Sequence, residues 1–316
     1  ADTRIIAHRG ASAYLPEHSR EAYLLAYGMG ADFLEPDLVL SADGVLLSLH
    51  DATLEATTDV AERYPDRARA DGRWYPFDFS FEELRRLNLR ERIESDTQKP
   101  RYPGRWPAGR GRFQLVSFDE LIELTVELNR MTGRRVGLYP ELKFPDLHAE
   151  QGLDITAALL EALDRHGLPR ADLPLFIQCF EPEPLRRLRA ERGDRLQLVQ
   201  LIGENDWAIN AIDYDAMRSP EGLATVAGYA DAIGPPLARL LAIDADGRPG
   251  ASRLFTQARR LQLAIHPYTF RRESMPVGSS LEAMLGLFMH QLKVEALFTD
   301  HPDVAAAVRA AHLPSR

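Results

Sequence analysis

The stretch IIAHRGAS, residues 5–12, starts with three apolar residues and continues into a histidine, an arginine and a glycine. A short apolar run of this kind predicts a buried strand, so His8, Arg9 and Gly10 fall where that strand would leave the core. In α/β proteins, binding sites are built at the carboxyl ends of strands. The stretch therefore predicts both a strand and the position of a site, provided that the rest of the chain is an α/β protein.

Strand-like and helix-like segments alternate along nearly the whole chain, which is typical of βα units around a mostly parallel sheet. Eight candidate strands cover residues 4–8, 32–40, 135–143, 174–179, 197–202, 230–234, 262–268 and 296–299. Amphipathic stretches between and after them cover residues 19–29, 118–131, 154–166, 183–191, 222–229, 252–261, 280–292 and 302–311. Eight strands, each followed by a helix, predict an α/β fold of the (β/α)8 TIM-barrel type.

One segment, residues 52–115, breaks this alternation. It is rich in Arg, Asp, Pro and aromatic residues, as in RYPDRARADGRWYPFDF (63–79), and only residues 81–89 have a helical pattern. So long a segment is uncommon in a compact domain unless it is functional, and its aromatic side chains favour packing over disorder. We therefore expect a barrel of residues 1–51 and 116–316 with residues 52–115 inserted as a cap over its mouth. A loose surface insertion is the alternative.

Composition and charge exclude several function classes. The chain has 316 residues and a net charge of −9, which argues against broad contact with nucleic-acid phosphates. Its longest apolar stretches, residues 173–179 and 196–202, are far shorter than the roughly 20 residues of a membrane-spanning helix. Cys179 is the single cysteine, which excludes an intrachain disulfide and a zinc–cysteine site.

The stretch FLEPDLVLSADGVLLSLHD, residues 33–51, carries two carboxylates and a histidine. Glu35 and Asp37 are two residues apart, and this spacing puts both side chains on one face of a strand. Asp43-Gly44 is a strong signal for a two-residue hairpin loop. With that loop, Asp37 lies opposite His50, and a slip of one residue would turn the side chains to the other face. The register therefore predicts a histidine beside two carboxylates.

A third carboxylate and a cation appear in YPELKF, residues 139–144. Glu141 and Lys143 are again two residues apart at the end of a candidate strand. Three carboxylates at one barrel mouth repel one another unless a cation lies between them. Because the candidate ligands are hard oxygens and include no thiolate, Ca²⁺ or Mg²⁺ is favoured over zinc.

These groups together suit the hydrolysis of a phosphodiester. The metal ion, Arg9 and Lys143 would neutralise the phosphate and the charge that builds on its oxygens. His8 and His50 would serve as general base and general acid, in an order that the sequence leaves open. Taken singly, each residue has a simpler interpretation, because a lone histidine is usually structural and a Glu-x-Lys pair is usually a surface ion pair.

The motifs HRGAS, LPEHS, FLEPDL, SLHD, YPELK, QCF, HPYT and FTDHPD occur in the order found in glycerophosphodiester phosphodiesterases. Residues 4–304 resemble this family, and most of all its longer periplasmic bacterial type. The resemblance implies a TIM barrel and one divalent cation, with Ca²⁺ favoured and Mg²⁺ as the alternative. It also implies hydrolysis of glycerophosphodiesters such as glycerophosphocholine and glycerophosphoethanolamine to sn-glycerol 3-phosphate and an alcohol.

The resemblance also implies a role for individual residues. The acid–base pair would be His8 and His50, and the metal ligands would be Glu35, Asp37 and Glu141. The substrate-binding and phosphate-binding residues would be Arg9, Lys143, Glu17, Gln178 and Tyr268. The family often reads PENT where this chain reads PEHS (16–19), so we expect His18 and Ser19 to serve the start of the following helix, with Ser19 as its N-cap.

The sequence also leads to expectations about the location of the protein, its partners and its alternative activities. The resemblance and a first residue other than Met predict a periplasmic or secreted protein that acts on a small molecule, without a membrane span or nucleic-acid partner. Lysophospholipase D or sphingomyelinase D-like activity is the alternative within enzymes, and a surface binding protein without turnover is the alternative outside them. The arginine-rich and aspartate-rich segment favours a water-soluble diester.

The sequence leaves the attacking nucleophile open. Water could attack the phosphorus directly, or the glycerol 2-hydroxyl could attack it and give a cyclic phosphate.

Overall fold

The computed structural model describes residues 2–276 and 278–311 as an α/β protein. The chain divides into two compact units. The amino-terminal unit is Ala7–Pro174, and the carboxy-terminal unit comprises the described residues up to Ile6 and from Leu175 onward. Strand β1 (Arg4–His8) crosses the boundary between them and has the predicted bounds.

The amino-terminal unit contains five further strands and six α-helices among its residues. The strands are β2 (Phe33–Glu35), β3 (Asp37–Leu40), β4 (Leu46–Ser48), β5 (Gly137–Leu138) and β6 (Glu141–Leu142). The helices are α1 (Arg20–Gly28), α2 (Val60–Arg63), α3 (Phe81–Arg85), α4 (Phe118–Thr132), α5 (Pro145–Glu150) and α6 (Ile155–His166).

The described part of the carboxy-terminal unit continues the alternation of strands and helices. Its strands are β7 (Phe176–Cys179), β8 (Gln197–Leu201), β9 (Ala232–Gly234), β10 (Leu241–Ile243), β11 (Pro249–Ala251), β12 (Ala264–Ile265) and β13 (Ala296–Thr299). Its helices are α7 (Pro182–Arg192), α8 (Tyr214–Met217), α9 (Pro220–Ala227), α10 (Arg253–Arg260), α11 (Leu281–Gly286) and α12 (Pro302–Ala311). Strands β7, β8, β9 and β12 pair in parallel, as predicted for βα units. The small antiparallel hairpin of β10 and β11 was not predicted.

Prolines divide two of the predicted strands of the amino-terminal unit. Pro36 separates β2 from β3, and Pro140 separates β5 from β6, because proline has no backbone N–H to donate to a ladder. The parallel register is nevertheless the same on both sides of each break: Phe33 pairs with Gly137, and Asp37 pairs with Glu141. This register places two of the predicted metal ligands side by side.

The predicted register of the hairpin between β3 and β4 was wrong by one residue. Leu40 pairs with Leu46, so the loop has three residues between Ser41 and Val45 rather than the two of Asp43-Gly44. Gly44 has φ +78°, which is the left-handed residue expected in a three-residue hairpin loop. Asp37 therefore lies opposite Leu49, whose backbone N–H donates to the Asp37 carbonyl, and not opposite His50.

Glycine is required where the first loop meets α1. Gly10 has φ +81°, and a Cβ atom placed on it would lie 2.8 Å from the backbone carbon of Ala22. The side chain of Ser19 accepts a hydrogen bond from the Ala22 N–H, which confirms Ser19 as the N-cap of α1. These contacts hold the loop that follows β1 against the helix.

The inserted segment has a packed apolar core of its own. Side chains of residues 52–115 pack with Val39, Leu47 and Leu49 at the β3–β4 hairpin. The buried members that the segment contributes are Leu54, Val60, Phe79, Leu84, Leu87, Leu89, Phe113 and Leu115. This packing agrees with the expectation drawn from the aromatic composition. The proposed position of the segment over a barrel mouth, and the division into a barrel and a cap, stay predictions.

Replacing Phe79 with alanine is expected to lower the free energy of unfolding by about 3–5 kcal/mol. The Phe79 ring is fully buried and packs 5.3 Å from the Tyr64 ring, so its removal leaves a cavity that the segment cannot fill. The midpoint of urea unfolding measures the loss. Met131→Ala, at a site that is 75% exposed, is the matched control and should leave the midpoint nearly unchanged.

Candidate functional site

The predicted catalytic and metal-binding residues come together in the amino-terminal unit, at the ends of its strands. His8 ends β1, and Arg9 begins the loop that follows. Glu35 ends β2, Asp37 begins β3 and Glu141 begins β6. The remaining two lie just beyond strand ends, and they are His50 and Lys143.

Three buried carboxylates form the centre of the site. One oxygen from each of Glu35, Asp37 and Glu141 lies within 4.8 Å of the others. Burial, with the negative charges of Asp37 and Glu141 close by, raises the pKa of Glu35 well above its usual range. Burial also raises the pKa of Glu141 to about 8, despite its ion pair with Lys143. Ionisation of all three carboxyls would therefore put more negative charge here than the neighbouring cations compensate.

These three residues fit a divalent cation. Asp37 Oδ1 is buried and accepts no hydrogen bond from the described residues, although its other oxygen is bonded. An unpaired buried oxygen next to two further carboxylates is the arrangement expected of a cation site with hard oxygen ligands. The predicted ligand set is therefore compatible with Ca²⁺ or Mg²⁺, and it contains no soft donor.

Two cations, the buried Lys143 and the largely buried Arg9, border the carboxylates. The Arg9 guanidinium donates to Glu17 at 3.0 Å and lies 3.5 Å from Asp37, while its backbone N–H donates to Glu35 at 2.8 Å. Lys143 Nζ donates to Glu141 at 3.0 Å. Although burial disfavours the ammonium, the charges of Glu141 and Asp37 raise the pKa of Lys143 above its usual value. Both side chains therefore present positive charge in a site that otherwise attracts cations.

His50 is held by its neighbour in the sequence. The distance from His50 Nδ1 to Asp51 Oδ1 is 2.7 Å, and about a third of the imidazole is exposed. Desolvation, together with the charges of Arg9 and Lys143, lowers the pKa of His50 to about 3 even though Asp51 opposes the shift. The imidazole is therefore neutral at neutral pH, with Nδ1–H donating to the carboxylate.

His8 is half-buried at the end of β1, directly before Arg9. Its backbone carbonyl accepts a hydrogen bond from Ser12 Oγ at 2.8 Å, which fixes the turn between β1 and α1. The Arg9 residue that follows has φ +61°, so the chain turns sharply after the histidine. The structure therefore brings His8, Arg9 and the carboxylates onto adjacent strand ends.

The role expected for His18 at the start of α1 was wrong. Its imidazole is buried, and Nε2 lies 2.8 Å from Asp37 Oδ2 while Nδ1 lies 2.7 Å from the Tyr23 hydroxyl. Against the cost of burial, this contact with His18 and the charge of Lys143 hold the pKa of Asp37 well below its usual range. His18 therefore orients a candidate metal ligand, and its place in LPEHS beside Glu17 was the available signal.

Arg92 and Asp51 also belong to the site, and neither was assigned a role from the sequence. Arg92 Nη2 and Nε donate to the two oxygens of Glu17 at 2.7 and 3.1 Å, and Nη1 donates to Asp51 Oδ2 at 2.6 Å. Glu17 thus lies between Arg9 and Arg92. Asp51 could have been suspected from SLHD, whereas Arg92 lies in an irregular segment without a pattern.

A buried carboxylate of the inserted segment lies close to this network. Glu91 is buried, and its Oε2 has no hydrogen-bond partner among the described residues. Burial and the charge of Glu17 raise the pKa of Glu91 to about 8, although Arg105 opposes the shift. Between about pH 4.5 and pH 8 the folded chain therefore keeps a proton here that the unfolded chain releases, so folding loses stability as the pH rises.

Glu91→Gln is expected to stabilise the protein at pH 8 and much less at pH 5. The amide keeps the shape of the protonated acid and removes the cost of ionising it, which is at least about 1 kcal/mol for a shift of this size. A rise in Tm of about 2–4 °C at pH 8 follows. Thermal unfolding at both pH values measures it, and Glu82→Gln, an exposed carboxylate on α3, is the control. An equal shift at both pH values would contradict the assignment.

Gln178 and Tyr268 lie in the carboxy-terminal unit. Gln178 is buried in β7, and the Tyr268 hydroxyl donates to the carbonyl of Ile202 at 2.7 Å. Their predicted roles in lining the pocket stay predictions. Among the described residues, no helix is both long and apolar enough to cross a membrane.

Known proteins resemble this chain over almost its full length. The sequence profile of the "Glycerophosphoryl diester phosphodiesterase family" matches residues 8–304. The "Glycerophosphodiester phosphodiesterase" of Haemophilus influenzae is 35% identical over 324 residues, which cover 96% of this chain and 88% of that protein.

Solved structures show the same fold. The glycerophosphodiester phosphodiesterase from Agrobacterium tumefaciens has a TM-score of 0.61 and 22% identity, and the match covers 96% of this chain and 99% of that chain. An Oleispira antarctica phosphodiesterase in complex with the product sn-glycerol-3-phosphate has a TM-score of 0.63 and 20% identity, with coverage of 97% and 96%. These likenesses confirm the predicted α/β fold of the (β/α)8 type.

Proposed function

The chain belongs to the glycerophosphoryl diester phosphodiesterase family and is an enzyme that cleaves glycerophosphodiesters; from this premise we propose that it hydrolyses water-soluble glycerophosphodiesters such as glycerophosphocholine and glycerophosphoethanolamine. The products are sn-glycerol 3-phosphate and the alcohol. One observation carries the proposal: three buried carboxylates that could hold a cation, two cationic side chains and an oriented neutral histidine lie at or just beyond strand ends of one unit. The Oleispira protein, whose structure holds sn-glycerol 3-phosphate, supports the choice of product.

We propose that Glu35, Asp37 and Glu141 hold one divalent cation, with Ca²⁺ favoured and Mg²⁺ as the alternative. When bound, such an ion supplies positive charge that stabilises the developing charge on phosphate oxygens. The proposal is supported by the unpaired buried Asp37 oxygen and by the absence of any thiolate from the ligand set.

Arg9 and Lys143 bind the phosphate of the substrate in this mechanism. Lys143 is buried and Arg9 is largely buried, so solvent screens their charges only partly, and they act on the diester monoanion and on a transition state with negative equatorial oxygens. The ion pairs with Glu17 and Glu141 keep each side chain in place before substrate arrives. The substrate phosphate therefore meets two cations whose positions are fixed in advance.

His50 is the general base and His8 is the general acid. The low pKa of His50 keeps its ring neutral, and Asp51 at Nδ1 leaves Nε2 for the proton of the attacking hydroxyl. His8, next to the phosphate-binding Arg9, gives a proton to the alkoxide as the bond between phosphorus and the alcohol oxygen breaks. Water and the glycerol 2-hydroxyl are both possible sources of the attacking oxygen.

The inserted segment supports a water-soluble substrate over a lipid one. Its side chains close on their own core, and arginine from this segment contacts the site through Glu17 and Asp51. A charged neighbour of this kind favours a polar headgroup over an acyl chain. A periplasmic or secreted location is part of the same proposal and rests on the resemblance to the longer bacterial type.

Release of sn-glycerol 3-phosphate from glycerophosphocholine by the purified protein tests the function. The assay is run with EDTA, with Ca²⁺ or Mg²⁺ restored, and with the His8→Ala and His50→Ala variants. Metal-dependent release that both variants lose supports the site as described. A folded wild-type protein that is inert with every metal and with both headgroups would contradict the proposal.

A further inference from the structure

The inserted segment reaches the catalytic groups through one side chain. Arg92 lies in the segment of residues 52–115, and its side chain is only 11% exposed. Its backbone is fixed, because its carbonyl accepts from the Arg101 N–H at 2.9 Å and the next residue, Ile93, donates to the Ala56 carbonyl at 3.0 Å. The backbone from which the guanidinium extends is therefore held in place by hydrogen bonds within the segment.

The Arg92 guanidinium donates hydrogen bonds to two carboxylates. Nε and Nη2 bind both oxygens of Glu17, and Nη1 binds Asp51 Oδ2 at 2.6 Å. A planar guanidinium presents donors in a fixed fork, so the positions of the two carboxylates are set relative to each other. An ammonium at the same place would supply charge without this geometry.

Each of those carboxylates in turn holds a catalytic group. Asp51 Oδ1 lies 2.7 Å from His50 Nδ1, and Glu17 Oε1 accepts from Arg9 Nη1 at 3.0 Å. Arg92 is thus one hydrogen-bonded carboxylate away from the proposed base on one side and from the proposed phosphate ligand on the other. The four charged groups, two acidic and two basic, balance one another, so removal of Arg92 leaves two partly buried carboxylates under-compensated.

We propose that Arg92 is a positioning residue, which holds Asp51 against His50 and Glu17 against Arg9 and thereby lets the inserted segment set the orientation of both catalytic groups. The inference rests on the proposed function for the roles of His50 and Arg9. It adds that the segment is part of the catalytic apparatus, since the tautomer of His50 and the direction of the Arg9 guanidinium depend on it. Small misplacements of such groups cost rate steeply.

Steady-state kinetics on three variants test the proposal. Arg92→Met is expected to lower kcat by about 10- to 100-fold and to raise KM for glycerophosphocholine, because the base and the phosphate ligand both lose their orientation. Arg92→Lys keeps the positive charge but lacks the planar fork of donors. Its kcat should therefore exceed that of Arg92→Met by less than about tenfold. Arg101→Met removes an exposed arginine from the same segment and should keep wild-type kcat.

A double-mutant cycle separates positioning from general stability. If Arg92 acts partly through Asp51 and partly through Glu17, the loss of kcat in Arg92→Met combined with Asp51→Asn is smaller than the product of the two single losses. Independent effects would instead multiply, and that result would overturn the proposal. Should Arg92→Met fail to fold, as judged by thermal unfolding, Arg92→Lys carries the same cycle.

A measurement that needs no turnover keeps this inference distinct from the proposed function. The ¹⁵N resonances of the His50 ring should report Nδ1–H in the wild-type protein and move toward a mixture of tautomers in Arg92→Met. A wild-type protein without activity but with this change would overturn the function and retain the positioning role. Unchanged His50 resonances and unchanged kcat in a folded Arg92→Met would overturn the positioning role alone.

Discussion

Replacing His50 with alanine is expected to lower kcat by about 10²–10⁴-fold, measured as release of sn-glycerol 3-phosphate from glycerophosphocholine. The imidazole is neutral because desolvation and the charges of Arg9 and Lys143 lower its pKa to about 3. Its Nδ1–H is fixed by Asp51, so Nε2 accepts a proton without prior reorganisation. Alanine removes this acceptor and leaves only water to take the proton.

The substitution should act on turnover more than on binding. The phosphate contacts of Arg9 and Lys143 are unchanged, so KM is expected to stay within about threefold of the wild-type value. His166→Gln is the control, because that histidine pairs with Asp119 on the surface of the same unit. A folded His50→Ala variant with wild-type kcat would assign the base to another group.

The convergence of the carboxylates could be predicted because it depends on regular strands. A parallel register places Asp37 beside Glu141 once both segments are recognised as strand ends, and the proline breaks do not change it. The hairpin register was wrong because the sequence does not show that Gly44 alone, in a left-handed conformation, closes a three-residue loop. His50 still approaches the site because β4 ends at Ser48, so strand alternation no longer dictates where His50 points.

The contacts of His18 and Arg92 could not be predicted from the sequence. His18 reaches Asp37 over 19 positions, and Arg92 reaches Glu17 over 75. Neither contact joins two residues of one helix or of paired strands, so no periodicity relates the partners. Such contacts depend on the path of an irregular segment, which is set by its apolar core rather than by local signals.

Removal of divalent cations is expected to lower turnover at least about 100-fold, which corresponds to about 2.7 kcal/mol of lost transition-state stabilisation. Glu35, Asp37 and Glu141 are buried with their oxygens within 4.8 Å, so without a bound cation they repel a phosphate instead of attracting it. Treatment with EDTA followed by gel filtration measures the loss, and added Ca²⁺ or Mg²⁺ should restore the rate. A rate that survives complete removal of metal would contradict the assignment of the three carboxylates.

Asp37→Asn should reproduce this loss even in excess Ca²⁺, because one of the three charges that hold the ion is gone. Binding stabilises the folded state, so Ca²⁺ at about 100 times its Kd should add about 2.7 kcal/mol to the wild-type free energy of unfolding and raise Tm by several degrees. The Asp37→Asn variant should show little of this rise, whereas the surface variant Asp119→Asn should show all of it. Because the thermal shift does not depend on turnover, loss of both rate and shift in Asp37→Asn identifies a binding defect. Loss of rate with a full shift would instead place Asp37 outside the ligand set, as a residue that acts on the substrate directly.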